Sequence, residues 1–211
     1  AFPAWALVSI VNDAPQHGGG SGNIAVVAHG SGASSNSPFT ASLNMSGATL
    51  IVVNISADSA GAITDSVGTN TYTQGTCNVD VKNACLYYVY APNVSSTMIF
   101  NYTGSSVFAA IEVIGFSGTV GSSMDQSSNQ GTAALATTCT VNSSITPSTN
   151  NQVVVSGFYD DTGPNGQTYS VNSSMTISDQ NPHAASVNLG GALAYIIQTT
   201  ATAIQPVWTT T

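Results

Sequence analysis

The apolar residues of this chain come in short runs, and clusters of glycine, asparagine, aspartate and serine separate one run from the next. Most runs are rich in Val, Ile, Thr and Tyr, which favour β-strands. We predict strands at residues 5–11, 23–29, 49–57, 84–91, 97–103, 107–116, 151–159, 174–179, 191–199 and 206–210. Shorter strands are expected around 63–73 and 167–172. No window combines a helical period with capping residues, so we expect at most one helical turn, near 124–130.

This many short strands in 211 residues predicts an all-β protein built from packed antiparallel sheets. We expect a single two-sheet β-sandwich of jelly-roll type over residues 23–211, preceded by an apolar strand and a Gly-rich tether over residues 1–22. The runs 49–57 and 107–116 are apolar on both faces. The partner sheet would cover one face, and a neighbouring molecule is a candidate cover for the other.

Charged residues make up only 5% of the chain, its formal net charge is −8, and Lys82 is its only Lys or Arg. So few cations argue against nucleic acids and anionic membrane surfaces as partners. No window approaches the run of about 20 apolar residues that a membrane-spanning helix needs, so we expect no membrane insertion. A surface poor in ions loses little hydration when two copies meet, which favours self-assembly.

The cysteines bear on the compartment. Cys77 and Cys85 lie eight positions apart around a polar stretch. A hairpin there would bring their Cα atoms within disulfide range, so we predict this bridge. Cys139 is left over, and we interpret it as a buried thiol that packs as a small apolar side chain, with an intermolecular bridge or thioester-like chemistry as alternatives. Since the chain also begins without Met, we expect a secreted protein, extracellular or at the cell surface, after removal of a signal peptide.

The N-terminal segment differs from the rest of the chain. Its apolar strand consists of Trp5, Ala6, Leu7, Val8, Ser9, Ile10 and Val11, and the Gly-rich stretch 17–23 follows. An apolar strand on a flexible tether is what strand donation requires, because the segment can complete a neighbouring subunit's sheet. Successive head-to-tail donations would build a filament. The alternative is that the strand folds back onto its own sandwich.

Two further groups of residues are candidate sites. Asp160, Asp161 and Asn165 carry carboxylate and amide oxygens in one short loop, which suits Ca²⁺, although the same residues also favour a simple turn. Six Asn-x-Ser/Thr sequons are candidate glycosylation sites: Asn44, Asn54, Asn93, Asn101, Asn142 and Asn172. Chance nearly accounts for that number in a chain so rich in Asn, Ser and Thr.

Glu112 is the only glutamate, and it lies within the apolar run 107–116. Burying its carboxylate is costly, so we expect a raised pKa or a satisfied hydrogen-bond network. A glycosidase would need a second carboxylate about 5 to 9.5 Å away, and no motif places one there. An isopeptide bond would have to use Lys82. No Gly-x-Ser-x-Gly motif or metal-ligand spacing of histidines occurs. We therefore expect a structural acid and no enzyme.

Stretches within about residues 40–200 resemble a recurrent secreted β-sandwich module of bacterial and environmental sequences. The resemblance rests on the strand 49–57, the turn DSVGTN at 65–70, the paired tyrosines within 84–91 and the strand that ends in F-S-G at 116–118. It implies a β-sandwich and brings no activity with it. Residues 1–22 lie outside it.

These observations together predict an extracellular structural subunit that assembles with copies of itself into a filament or surface layer, using residues 5–11 as the intersubunit strand. One alternative is a glycan-binding or adhesive β-sandwich, because aromatic rings can stack on sugars. Its candidate residues are Trp5, Trp208, Tyr87, Tyr88, Tyr90, Tyr159 and Tyr169. A viral decoration or fibre protein is a third possibility.

Overall fold

A computed structural model of the protein describes residues 4–11, 23–35, 39–59, 61–78, 83–104, 108–121, 123–129, 138–161, 165–184 and 189–210. No helix occurs in these ranges. The strands are β1 Ala4–Val11, β2 Ala25–Ser34, β3 Leu50–Ala57, β4 Gly61–Asp65, β5 Thr73–Asn78, β6 Asn83–Tyr90, β7 Phe100–Gly104, β8 Ala109–Ser117, β9 Met124–Asn129, β10 Thr138–Thr140, β11 Gln152–Asp160, β12 Tyr169–Val171, β13 Thr176–Ala184, β14 Leu189–Gln198 and β15 Val207–Thr210.

These strands form four sheets. Sheet I has the order β13-β14-β11-β1-β9 and sheet II the order β2-β8-β3-β6-β5. Sheet III consists of β4 and β7, and sheet IV has the order β10-β15-β12. All the strand pairs are antiparallel. The prediction of an all-β protein with packed antiparallel sheets is therefore confirmed, whereas the strand order does not establish jelly-roll connectivity.

Three apolar cores separate the sheets, which places them in four layers in the order III, II, I, IV. The core between sheets I and II contains Leu50, Val52, Leu86, Ile114, Phe116, Val153, Val155, Tyr159, Leu189 and Leu193. The core between sheets II and III contains Ile51, Val53, Ile55, Ile63, Phe100, Tyr102, Ile111 and Val113. The core between sheets I and IV contains Cys139, Val154, Phe158, Tyr169, Ala192, Ala194 and Trp208.

The four layers explain why some strands are apolar on both faces. Along β3, Val52 faces sheet I while its neighbour Val53 faces sheet III. Along β11, Val153 faces sheet II and Val154 faces sheet IV. Since successive side chains of a strand point to opposite faces, each of these strands needs two covers. The expectation that a neighbouring molecule covers the second face of the runs 49–57 and 107–116 was wrong, because sheet III of the same chain covers that face of both β3 and β8.

Most of the predicted strands are present, with boundaries that differ by a few residues. The helical turn expected near 124–130 was wrong, because residues 124–129 form β9. The sequence of β9, MDQSSN, has little intrinsic strand preference, and pairing with β1 supplies its backbone hydrogen bonds. A distant partner has here overridden local propensity.

The predicted turn at 65–70 is organised by the carboxylate of Asp65, which is buried. Its Oδ1 atom accepts hydrogen bonds from the backbone N–H groups of Val67 at 2.9 Å and Gly68 at 3.0 Å. Its Oδ2 atom accepts bonds from Asn70 Nδ2 at 2.8 Å and the Tyr72 hydroxyl at 2.7 Å. Burial and the carboxylate of Asp65 raise the pKa of Tyr72. One side chain therefore fixes the whole turn.

We predict that Asp65→Ala lowers the free energy of unfolding by about 2 to 3 kcal/mol, because four donors lose their acceptor in a partly buried turn. Thr64→Ala is the matched control, since Thr64 is the exposed neighbour on the same strand. It should change stability by less than about 0.5 kcal/mol. Urea unfolding of both variants measures the difference, and equal losses would contradict the role of Asp65.

Candidate functional site

The N-terminal strand β1 lies inside sheet I, between β11 and β9. Its register with β11 runs from Ala4 opposite Asp160 to Val11 opposite Val153. Its other edge pairs with β9, with Leu7 opposite Asn129. The prediction of a strand at 5–11 is confirmed. Within the single copy that the structure contains, β1 completes its own sheet, which is the alternative that the sequence left open.

We call the space that β1 occupies the β1 slot, bounded by β11 on one side and β9 on the other. β1 packs on β5 and β6 of sheet II and on β10 of sheet IV. The slot is therefore covered on both faces. That agrees with the sequence of β1, AWALVSIV, which is mainly apolar at both alternating sets of positions.

The backbone N–H and C=O groups that line the slot form their hydrogen bonds with β1. Without it, β11 would keep β14 as its partner and expose its other edge along residues 153–160. β9 would lose the one strand with which it pairs in the described part of the chain. An open row of backbone N–H and C=O groups is a template for an added strand.

A buried polar cluster lies between sheets I and II, centred on Glu112. Its Oε2 atom accepts a hydrogen bond from Asn54 Nδ2 at 2.7 Å, and its Oε1 atom accepts one from Asn181 Nδ2 at 2.6 Å. Burial raises the pKa of Glu112 to about 8. The hydrogen bonds from the two asparagine side chains oppose this shift, and the negative charge of Asp179 adds to it. The expected raised pKa and hydrogen-bond network are both confirmed.

The backbone around Glu112 leaves room for this cluster. A Cβ atom on Gly191 would lie 2.7 Å from Ser56 Oγ and 2.8 Å from Glu112 Oε1, so any larger residue would displace the polar groups. Glu112 is fully buried, and each of its carboxylate oxygens accepts a hydrogen bond from a side-chain amide group. The arrangement suits a structural acid. Lys82, the lysine that an isopeptide bond would need, lies outside the described residues.

The sequence marks one of the two asparagine partners of Glu112 as a buried polar residue but not the other. Asn54 interrupts the apolar run LIVVNISA of β3, and a polar residue in such a run indicates a buried partner. Asn181 lies in the polar strand β13, where nothing marks it in advance. Nearby, a hydrogen bond of 2.9 Å between His29 Nδ1 and Asp179 Oδ2 joins the edge strands β2 and β13.

The calcium hypothesis gains no support from the described residues. Asp160 and Asp161 are buried, whereas Asn165 is exposed. Asp160 Oδ2 accepts a hydrogen bond from the Tyr169 hydroxyl at 3.3 Å, and burial raises the pKa of its carboxyl group. No group of three or more His, Cys, Asp or Glu side chains in the described ranges could hold a metal ion.

Most of the candidate sugar-binding aromatic residues belong to the cores or are half-buried. Trp208 is fully buried, stacks on Phe158 with ring centroids 5.2 Å apart and donates its Nε1 hydrogen to Ser156 Oγ at 2.9 Å. Tyr159 and Tyr169 are buried as well, and Tyr87, Tyr88 and Tyr90 are half-buried. The side chain of Trp5 lies outside what the structure describes. The three buried rings cannot present a face to a sugar.

The cysteine predictions are confirmed. Cys77 and Cys85 form a disulfide between the paired strands β5 and β6. Cys139 is a buried thiol outside this disulfide, in the core between sheets I and IV. The disulfide indicates an oxidising environment.

The sequons differ in exposure. Asn54 is buried and its amide is bonded to Glu112, so it was wrong as a glycosylation candidate: a glycan does not fit there in the folded chain. Asn101 is half-buried in β7. Four sequon asparagines are exposed and remain candidates: Asn44, Asn93, Asn142 and Asn172.

Comparison with family models, curated proteins and solved structures finds no match to the chain. The resemblance to a secreted β-sandwich module is therefore supported only to the extent that the protein is all-β with several antiparallel sheets. The described ranges contain no helix that could cross a bilayer.

Glu112 predicts a pH dependence of stability. Its pKa in the folded chain, about 8, lies above its ordinary value of 4.5. The folded state therefore binds the proton more tightly, so the contribution of Glu112 to stability is fully present below about pH 4.5 and is lost as the pH rises through about 8. We expect a loss of roughly 1 kcal/mol per pH unit within that interval.

The comparison with Glu112→Gln isolates this effect, because the other titrating groups are common to both proteins. Urea unfolding should give similar stabilities at acidic pH and a growing advantage of the Gln variant as the pH rises to 9. Parallel pH profiles of the two proteins would show that the Glu112 carboxyl group does not titrate as its burial requires.

Proposed function

We propose that the protein is an extracellular structural subunit that assembles with copies of itself, β1 of one copy filling the β1 slot of the next. The observation that carries this proposal is the position of β1, which is inserted between two strands from distant parts of the chain. The same backbone bonds form whether β1 comes from its own chain or from another copy, as in domain swapping.

The length of the connection supports exchange. β1 ends at residue 11 and β2 begins at residue 25, on the far edge of sheet II. Three strand spacings of about 4.8 Å and one sheet spacing of about 10 Å put the two strands roughly 17 Å apart. The intervening chain reaches about 45 Å when extended. It is therefore long enough to place β1 in the slot of an adjoining copy.

The low charge supports close packing of copies. The chain has one Lys or Arg and nine Asp or Glu residues among its 211 residues. Few ions must be desolvated when two such surfaces meet, although the net charge of −8 opposes association weakly at low salt. If each copy gives β1 to one neighbour and receives it from another, the contact is head-to-tail and the assembly is a filament or, with lateral packing, a surface layer.

Cross-linking between variants that each carry one added cysteine tests the exchange in the full chain. Ser9 lies opposite Ser127 in the register of β1 with β9. We predict that Ser9→Cys and Ser127→Cys proteins, mixed at high concentration under mild oxidation, form a covalent heterodimer. That bond requires β1 of one copy to lie beside β9 of the other. Non-reducing gel electrophoresis and mass spectrometry identify it.

A mixture of Ser9→Cys with Ser170→Cys is the matched control, because Ser170 is exposed on β12 of sheet IV and has no pairing with β1. It should give no specific heterodimer. If the Ser9 and Ser127 variants also stay uncrosslinked, while the double variant closes its disulfide within one chain, β1 remains in its own sheet and the proposed assembly is wrong.

A further inference from the structure

We propose, on the basis of the proposed function, that β9 keeps its place when β1 leaves, so that the β1 slot is a preformed acceptor for residues 4–11 of a second copy. Strand β9 would then be a fixed side of the slot, which we call its wall. The disulfide-linked hairpin of β5 and β6 would hold β9 in place, and we call this hairpin the brace. This assigns an acceptor role to residues 124–129.

Side-chain bonds to the segment 143–148 hold β9 independently of β1. Gln126 Nε2 donates to the carbonyl oxygen of Thr146 at 2.7 Å. Asp125 Oδ2 accepts from the backbone N–H of Ser148 at 2.8 Å. The hydroxyl oxygens of Ser128 and Ser143 lie 2.9 Å apart. The polar composition of β9, which disfavours a strand by itself, is what allows these bonds.

A further bond ties the end of β9 to sheet II. Asn129 Nδ2 donates to the carbonyl oxygen of Cys77 at 2.9 Å. Cys77 is paired with Cys85 in the ladder and joined to it by the disulfide. Asn129 is also the residue opposite Leu7 of β1. The β5–β6 hairpin therefore contacts β9 at Asn129, which lies opposite the middle of β1.

The opposite wall is fixed as well. β11 pairs with β14 on its far side, and all nine of its residues are buried. Its side chains contribute to the cores on both faces of sheet I, with Val155 on one face and Phe158 on the other. Because β9 and β11 are each held by contacts other than those with β1, the departure of β1 would leave a gap one strand wide between them. The occupant that fits this register is residues 4–11, supplied by a second copy.

A covalent lock on β9 tests whether the wall stays in place. The variant Ser128→Cys/Ser143→Cys places two thiols where the hydroxyl groups now meet, and oxidation fixes β9 to its outer support. The probe is a labelled peptide of residues 1–11 with a solubilising tail, added to the full-length chain. Its incorporation is followed by fluorescence anisotropy, with a scrambled peptide as control.

We expect the locked and parent chains to take up the peptide at rates within about twofold of each other. Uptake by the parent with a loss of tenfold or more in the locked chain would show that β9 must move, which overturns this inference and leaves the proposed function intact. If the peptide enters neither chain, both the acceptor slot and the proposed function are wrong.

Removing the brace is the second arm. Asn129→Ala should release the bound peptide about fivefold faster, the effect of one lost hydrogen bond. Ser170→Ala is the control, because Ser170 is exposed on β12 of sheet IV and has no pairing with β1, and its release rate should stay within about twofold of the parent's. Reduction of the disulfide in the parent chain should act in the same direction as Asn129→Ala. Equal release rates in all of these proteins would overturn the bracing role.

Discussion

Backbone pairing of β1 on both of its edges holds sheet I together. β9 reaches this sheet only through β1 in the described part of the chain, and β11 gains its second partner from it. Sheet I in turn supplies one side of the core against sheet II and one side of the core against sheet IV. The strand β1 therefore completes the sheet that contributes to both of these cores. Because strand pairing is satisfied equally by an identical strand from elsewhere, this central position is also what makes exchange between copies a natural route to assembly.

Local pattern was enough to locate most strands, because alternating apolar residues and turn residues act within a few positions. The arrangement into four layers was not accessible in this way. The sequences of β3 and β8 indicated that each strand is covered on both faces, but nothing in either run indicated that sheet III of the same chain would cover the second face. β9 was missed for a related reason: its polar sequence becomes a strand only because β1, more than a hundred positions earlier, pairs with it.

The functional elements were predictable to different degrees. The apolar strand 5–11 and the disulfide followed from composition and spacing, and Glu112 was recognisable as a polar residue in an apolar run. Its partners Asn54 and Asn181 lie 58 and 69 positions away, so only the fold brings them together. The support of β9 by Gln126, Asn129 and their partners is equally non-local. Residues of this kind carry no periodicity, and their roles emerge only once the sheets are stacked.

Two opposing effects decide where β1 resides. Within one chain, the short distance between β1 and the start of β2 gives the strand a high effective concentration at its own slot, which favours the monomer in dilute solution. Between copies, the bonds are the same, and each new subunit adds surface contacts that cost little desolvation because the exterior carries few charges. The proposed assembly would therefore require a high local concentration of the chain and a slot that stays open while strands exchange. A preformed β9 wall would lower the barrier to that exchange without altering the stability of either end state.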